Sequence, residues 1–297
     1  MKGNFWLFLI PALIWGSTWY VITFQLGKVD PLVSVVYRYY LAGAIMMLFC
    51  LARGVSLRFS KREHLLMALQ GLFLFGVNYW MAYEAEVYIT SGLMAVAFST
   101  IVFMNSLFGK LFLGRPINRN VIIGALFGLS GTILIFSKEF LSFNFSDDVV
   151  VGTALGMLSV LLASFGNLAS ARNSHEGIPV IQANAFGMVY GAVLMTILAL
   201  VLGRPFTFEA TSSYMISLLY LALFGSVVAF GTYLTLISRI GADKASYALV
   251  VIPVISIVIS TIFEGYQITW MAIVGIGLIL TGNVLALGKK KKKVALG

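Results

Sequence analysis

Residues 117–131 read INRNVIIGALFGLSG, and residues 268–282 read ITWMAIVGIGLILTG. Each stretch opens on isoleucine and a polar residue, Asn118 or Thr269. Each then places glycines at one spacing, Gly124 and Gly131 in the first and Gly275 and Gly282 in the second. Glycine is common in this chain, with 29 copies, so this pair alone is a weak match. Two more correspondences add to it. Pro31 opens one apolar run and Pro179 precedes another, and Tyr83 near the end of one run matches Tyr233 late in another. Self-similarity at a long, fixed spacing is the mark of a repeated structural unit. The chain therefore reads as a first unit over residues 1–140, a second over 148–288 and a basic cytoplasmic tail over 289–297.

Composition decides the solvent. The 297 residues are 60% apolar and only 10% charged, with mean hydropathy +0.97. Soluble domains carry about 25% charged residues. A membrane-spanning helix needs about 20 mostly apolar residues. Ten segments qualify: Phe5–Phe24, Leu32–Leu51, Leu65–Tyr83, Gly92–Leu113, Val121–Phe136, Gly152–Ala171, Ile181–Leu202, Tyr214–Ile237, Ala245–Phe263 and Trp270–Leu287. The first is too long for a cleaved leader and lacks a small-residue cleavage site, so it reads as a retained helix. The fold class is all-α: a polytopic membrane protein of ten transmembrane helices.

The net charge of +9 does not point to nucleic acid, because the basic residues occupy short loops and the tail. Arg53, Arg58, Lys61, Arg62, Arg115, Arg119, Arg172, Arg239, Lys244 and Lys289 to Lys293 fall on alternate connections. The other connections hold Glu84, Glu86, Glu139, Asp147, Asp148, Glu209 and Glu264. Cationic loops stay in the cytoplasm, so both termini are expected inside. Each unit holds an odd number of spans, five. The second unit must then enter the membrane upside down, as a 5+5 inverted repeat. Such repeats are typical of transporters, with the substrate held between them near the midplane.

The residues Trp15-Gly16-Ser17-Thr18, Arg38 after Pro31, Gly76 through Tyr83-Glu84-Ala85, the Glu264 to Thr269 step and the glycine-spaced last helix of each half resemble the drug/metabolite transporter superfamily, in its EamA-type ten-helix branch. The resemblance covers nearly the whole chain. It implies a 5+5 inverted repeat and export of amino acids or related small metabolites. Short loops and the absence of soluble domains point to the inner membrane of a bacterial cell. The chain departs from the family pattern at Gly114, where a glutamate is usual, and at Ala163, where a tryptophan is common.

Chemistry-bearing residues are few. Neither a His-Glu-x-x-His pattern nor a phosphate-binding loop is present, so no enzyme, metal or cofactor is expected. Cys50 sits alone in an apolar run and reads as packing. His64 and His175 lie at loop edges. Arg38 is the one clear charge inside a span, about 10 Å below the end of its helix at 1.5 Å rise per residue. Either it pairs with Glu84 or Glu86, or its forked donors take an anionic substrate group. Tyr79 and Tyr83, four apart, share one helix face beside Asn78. Ser99 and Tyr247 fall on the inferred repeat partners, helices four and nine, and Trp19 lies on helix one. The candidate substrate-binding set is thus Trp19, Arg38, Asn78, Tyr79, Tyr83, Ser99 and Tyr247. Other polar residues at depth, such as Ser17, Asn105, Asn167, Asn184 and Ser256, read as glue between helices, and Gly187 with Gly191 as a close-contact pair.

The expected partners are a small-molecule substrate and the lipid bilayer, not nucleic acid; the oligomeric state is left open, a monomer included. The leading expectation is a secondary transporter working by alternating access. Its rivals are a multidrug exporter of lipophilic cations, a membrane enzyme acting on lipid, and a channel. Glu84, Glu86 and Glu264 fall near the outer mouth in sequence, which predicts facilitated diffusion or weak ion coupling.

Overall fold

In lipid every backbone N–H and C=O must find its partner within the chain, which leaves helices as the usual way to cross. The computed structural model describes residues 2–114, 119–135, 148–240 and 247–287, and every regular element among them is helical. α1 is Lys2–Thr23 and α2 is Pro31–Ala52. α3 has α-helical parts Lys61–Gln70 and Asn78–Ala85 with a π-helical segment, Gly71–Val77, between them. α4 comprises Ser91–Ser99 and Ile101–Leu113, meeting at Thr100. α5 is Arg119–Ile135, α6 Asp148–His175 and α7 Val180–Val201. α8 again has a π-helical segment, Leu221–Val228, between Ser212–Tyr220 and Ala229–Ile240. α9 is Tyr247–Phe263 and α10 Trp270–Leu287.

Seven of these helices are long and apolar enough to cross a membrane, and the apolar parts of α5, α9 and α10 are shorter. They follow the order of the ten expected segments. Helix ends differ most where polar turns extend a helix beyond its apolar stretch. α3 starts at Lys61, before the expected Leu65, because Ser60 and Glu63 form a capping box: Glu63 N–H donates to Ser60 Oγ at 3.3 Å, and Ser60 N–H to Glu63 Oε2 at 2.6 Å. α6 likewise runs past its apolar centre at both ends, to Asp148 and His175. At the start of α2, Asp30 accepts from Leu32 N–H at 2.9 Å, and Pro31 has no N–H that needs an acceptor. Large apolar side chains such as Leu126, Leu200, Ile216 and Trp270 point outward. A surface of this kind is matched by lipid.

Glycine sets how closely the helices approach. A Cβ on Gly131 would stand 2.5 Å from the Gly275 carbonyl oxygen, and one on Gly275 would stand 2.6 Å from that of Gly131. A Cβ on Gly282 would stand 2.5 Å from the Gly124 carbonyl oxygen. Because 131 meets 275 while 124 meets 282, α5 and α10 run antiparallel, with the glycines of the two similar stretches facing each other. Gly71, at the start of the first π segment, abuts the backbone of Gly187 and Gly191 on α7.

The main contacts between residues 2–135 and 148–287 come in matched pairs. α1 packs on α9 as α6 packs on α4, α1 on α8 as α6 on α3, and α2 on α8 as α7 on α3. α2 also packs on α7. Polar side chains bridge these seams. Gln70 Nε2 donates to Asn184 Oδ1 at 2.7 Å, and Asn173 Nδ2 to Gln70 Oε1 at 2.7 Å. Ser164 Oγ donates to Asn105 Oδ1 at 2.8 Å and Ser256 Oγ to the Gly16 carbonyl at 2.7 Å. Asn105, Asn184 and Ser256 thus act as the expected glue. Cys50 is buried and free. Asn118, Asp147, Lys244 and the lysines of the tail lie outside the described residues.

Candidate functional site

Arg38 projects from α2 into the seam with α3 and α8 and is 1% exposed. Its Nε donates to Ser226 Oγ at 3.3 Å, and one terminal N–H group donates to the Tyr83 hydroxyl at 3.4 Å. The guanidinium carbon lies 4.5 Å from the Tyr79 ring centre and 5.3 Å from that of Tyr39. The quadrupole of each ring attracts the cation. Among the described residues no carboxylate stands in ion-pair contact with Arg38. A buried cation held only by hydroxyls and ring faces is poorly compensated, since an ion removed from water needs a counter-charge or several hydrogen bonds.

The backbone builds this position. In a π-helical segment one residue is added to a turn, which redirects side chains and frees carbonyls; such segments recur at functional sites. In the second π segment Ser226 Oγ donates back to the Leu221 carbonyl at 3.0 Å while accepting from Arg38. Gly225 lets the guanidinium approach: a Cβ there would stand 3.3 Å from Arg38 Nη2 and 2.9 Å from Thr18 Cγ2. The Gly225 carbonyl accepts from Trp15 Nε1 at 3.1 Å, which ties α1 to the same turn.

Three of the seven expected site residues meet here: Arg38, Tyr79 and Tyr83. The other described ones do not join them. Trp19 packs on Phe98 with ring centres 4.9 Å apart. Asn78 Nδ2 donates to the Leu74 carbonyl of its own helix at 2.8 Å, where the π segment leaves an acceptor within reach. Ser99 Oγ donates to the Val96 carbonyl at 2.7 Å, a bond within its own helix. The Tyr247 side chain lies outside the described residues. Arg38 pairs with neither Glu84 nor Glu86; Glu84 Oε1 instead accepts from Trp80 Nε1 at 3.0 Å. Arg38, Tyr39 and Tyr83 are buried. A cavity of about 260 Å³ lies by Ser60, Arg62, Glu63 and Glu176, and another of about 310 Å³ by Leu72, Trp80 and Leu162; neither is lined by Arg38.

The profile of a family described as the EamA-like transporter family matches residues 1–137 and again residues 150–288. The chain belongs to the EamA-like transporter family. It is 30% identical over 280 residues to the uncharacterized inner membrane transporter YedA of Escherichia coli K12, covering 93% of this chain and 88% of YedA. It is 25% identical to the uncharacterized transporter YoaV of Bacillus subtilis 168, covering 94% and 96%. A solved crystal structure superposes with TM-score 0.70 at 19% identity over 96% of each chain, which supports the fold alone. This EamA-like protein is thus a multi-pass helical membrane protein of a transporter family.

Sequence reasoning missed Tyr39 and Ser226, and considered Glu86 only as a partner for Arg38 or an acid near the outer mouth. Tyr39 adjoins Arg38 in sequence, and that adjacency was the available signal. Ser226 lies in an apolar run, and only the π segment turns it inward. Glu86 is 7% exposed although it follows the last turn of α3. Glu264, on the loop after α9, accepts from both the backbone N–H and the hydroxyl of Ser91 at the start of α4.

Proposed function

We propose that this EamA-like protein is a secondary transporter moving small organic solutes outward by alternating access, with amino acids and related metabolites as its substrate class. The carrying observation is Arg38: a buried cation, held by neutral groups, at the seam between the two halves. A substrate carboxylate matches its planar fork. The two family matches, the antiparallel pairing of α5 with α10 and the matched contacts support an inverted repeat of two five-helix units. The basic loops support cytoplasmic termini, and the likeness to YedA supports a bacterial inner membrane. Outward direction rests on the resemblance to exporters.

On this reading the structure is an occluded form. Arg62 at the start of α3 pairs with Glu176 just after α6 at 2.7 Å, and Arg204 just after α7 pairs with Asp30 just before α2 at 3.2 Å. Exposed pairs are worth about 0.2–1 kcal/mol, so either can open cheaply. A lipophilic-cation exporter is the weaker reading, because Arg38 repels cations and already occupies the Tyr39 and Tyr79 ring faces.

The test is counterflow of radiolabelled L-amino acids in proteoliposomes. Saturable flux of at least one, lost on Arg38→Gln, is expected. Flux of none, with transport of a lipophilic dye cation instead, would count against it.

A further inference from the structure

We propose that Glu86 is a proton site linked to Arg38, so that a proton and the anionic group of the substrate cross the membrane together. This deepens the reading of Arg38 as the anion anchor and rests on it.

Glu84 and Glu86 look alike in sequence, yet the turn after α3 separates their fates. Glu84 reaches Trp80, while neither carboxyl oxygen of Glu86 has a hydrogen-bond partner among the described residues. The hydroxyls of Thr90 and Ser260 are buried and unpartnered in the same way. Gly92 and Ser260 are in close contact, and Glu264 bonds Ser91, so α4 and the end of α9 join at this point. The groups that bear on Glu86 come from several elements. Arg38 acts from α2, Tyr83 from its own helix, and Glu264 from the α9–α10 loop. α6 packs on the same turn through Gly152, with Asp148 exposed at its start.

An ionised carboxylate without partners is costly to bury, and such a group takes up a proton instead. Burial pushes the Glu86 carboxyl well above the usual carboxylate range; the negative charge of Glu264 raises it further, and Arg38 opposes both. A substrate carboxylate on Arg38 cancels that opposing charge and so tightens the hold of Glu86 on its proton. By reciprocity the protonated Glu86 strengthens anion binding at Arg38. The proton enters from water on the side that is open, rides as the Glu86 carboxylic acid, and returns to water on the other side. No other bond changes. The expectation of weak coupling rested on the acids falling near the outer mouth in sequence, and Glu86 is buried there.

Two measurements test this. Infrared difference spectra in lipid nanodiscs at neutral pH should show a carboxylic-acid C=O band in the wild type that is missing in Glu86→Gln. Glu264→Gln, which keeps Glu86, should move the loss of that band to lower pH. No band difference between wild type and Glu86→Gln overturns the proposal. In proteoliposomes containing a fluorescent pH dye, entry of labelled L-amino acids should acidify the lumen, and the acidification per amino acid should fall to background in Glu86→Gln. Alkalinisation, no pH change, a strict sodium requirement, or equal acidification in the variant overturns it. A wild type that moves no amino acid defeats the transport reading instead, and the infrared band still decides the proton site.

Discussion

Arg38 and Glu86 are buried near the same end of the bundle, one a cation held by hydroxyls and rings, the other an acid without a hydrogen-bond partner among the described residues. Each makes a residue-scale prediction. Arg38→Lys keeps the charge but loses the planar fork and the stacking on Tyr79, and lysine does not replace arginine at such a site. Amino-acid binding measured with radioligand should weaken about tenfold or more, equivalent to about 1.4 kcal/mol. Equal affinity in the two proteins would show that the fork is not used. For Glu86 the sign follows from linkage. Its folded value lies above the ordinary glutamate value of about 4.3. As pH rises the unfolded chain loses this proton first, so its contribution is whole below that ordinary value and fades up to the raised one. Stability should fall by at most about 1.4 kcal/mol per pH unit across that interval. The melting temperature of the detergent-solubilised wild type should therefore drop from pH 5 upward more steeply than that of Glu86→Gln. Parallel pH profiles would mean that Glu86 is ionised in the folded protein.

At the scale of elements, glycines make the helix crossings. A methyl on Gly131 would stand 2.5 Å from the Gly275 backbone oxygen, where neither helix can give way without moving. Overpacking of this kind costs about 1–3 kcal/mol. Gly131→Ala and Gly71→Ala should each lower the melting temperature in detergent. Gly231 and Gly277 have open space where a Cβ would go, so Gly231→Ala and Gly277→Ala should be neutral or slightly stabilising. A uniform effect at all four would remove close approach as the cause. The π segments belong to the same scale. Gly225→Ala presses on Thr18 and Arg38, so flux should fall more than stability does.

The whole molecule adds two ion pairs that tie helices together. Arg62→Cys with Glu176→Cys joins the start of α3 to the end of α6, and Asp30→Cys with Arg204→Cys joins the start of α2 to the end of α7. Cys50 is fully buried, so it will not compete for these cross-links. If the halves rock about a central site, oxidation of either pair should stop amino-acid flux and reduction should restore it. Flux that survives both cross-links would rule out alternating access.

The sequence by itself determined the solvent, the order of the helices, the repeated glycine pattern and Arg38 as a charge well inside a span. These follow from composition and spacing, which need no knowledge of neighbours. It also put Tyr79 and Tyr83 on one side of α3, because residues four apart on a helix share a face; their contact with Arg38 comes from the seam between α2 and α3. Tertiary structure alone decided that Ser226 and Tyr39 complete that group, that Asn78, Ser99 and Trp19 bond or pack elsewhere, and that Glu86 is buried while Glu84 is not. The physical reason is that π segments, helix seams and turns set the direction of a side chain. Those directions depend on contacts between residues some 200 positions apart, such as the one between Trp15 and Gly225.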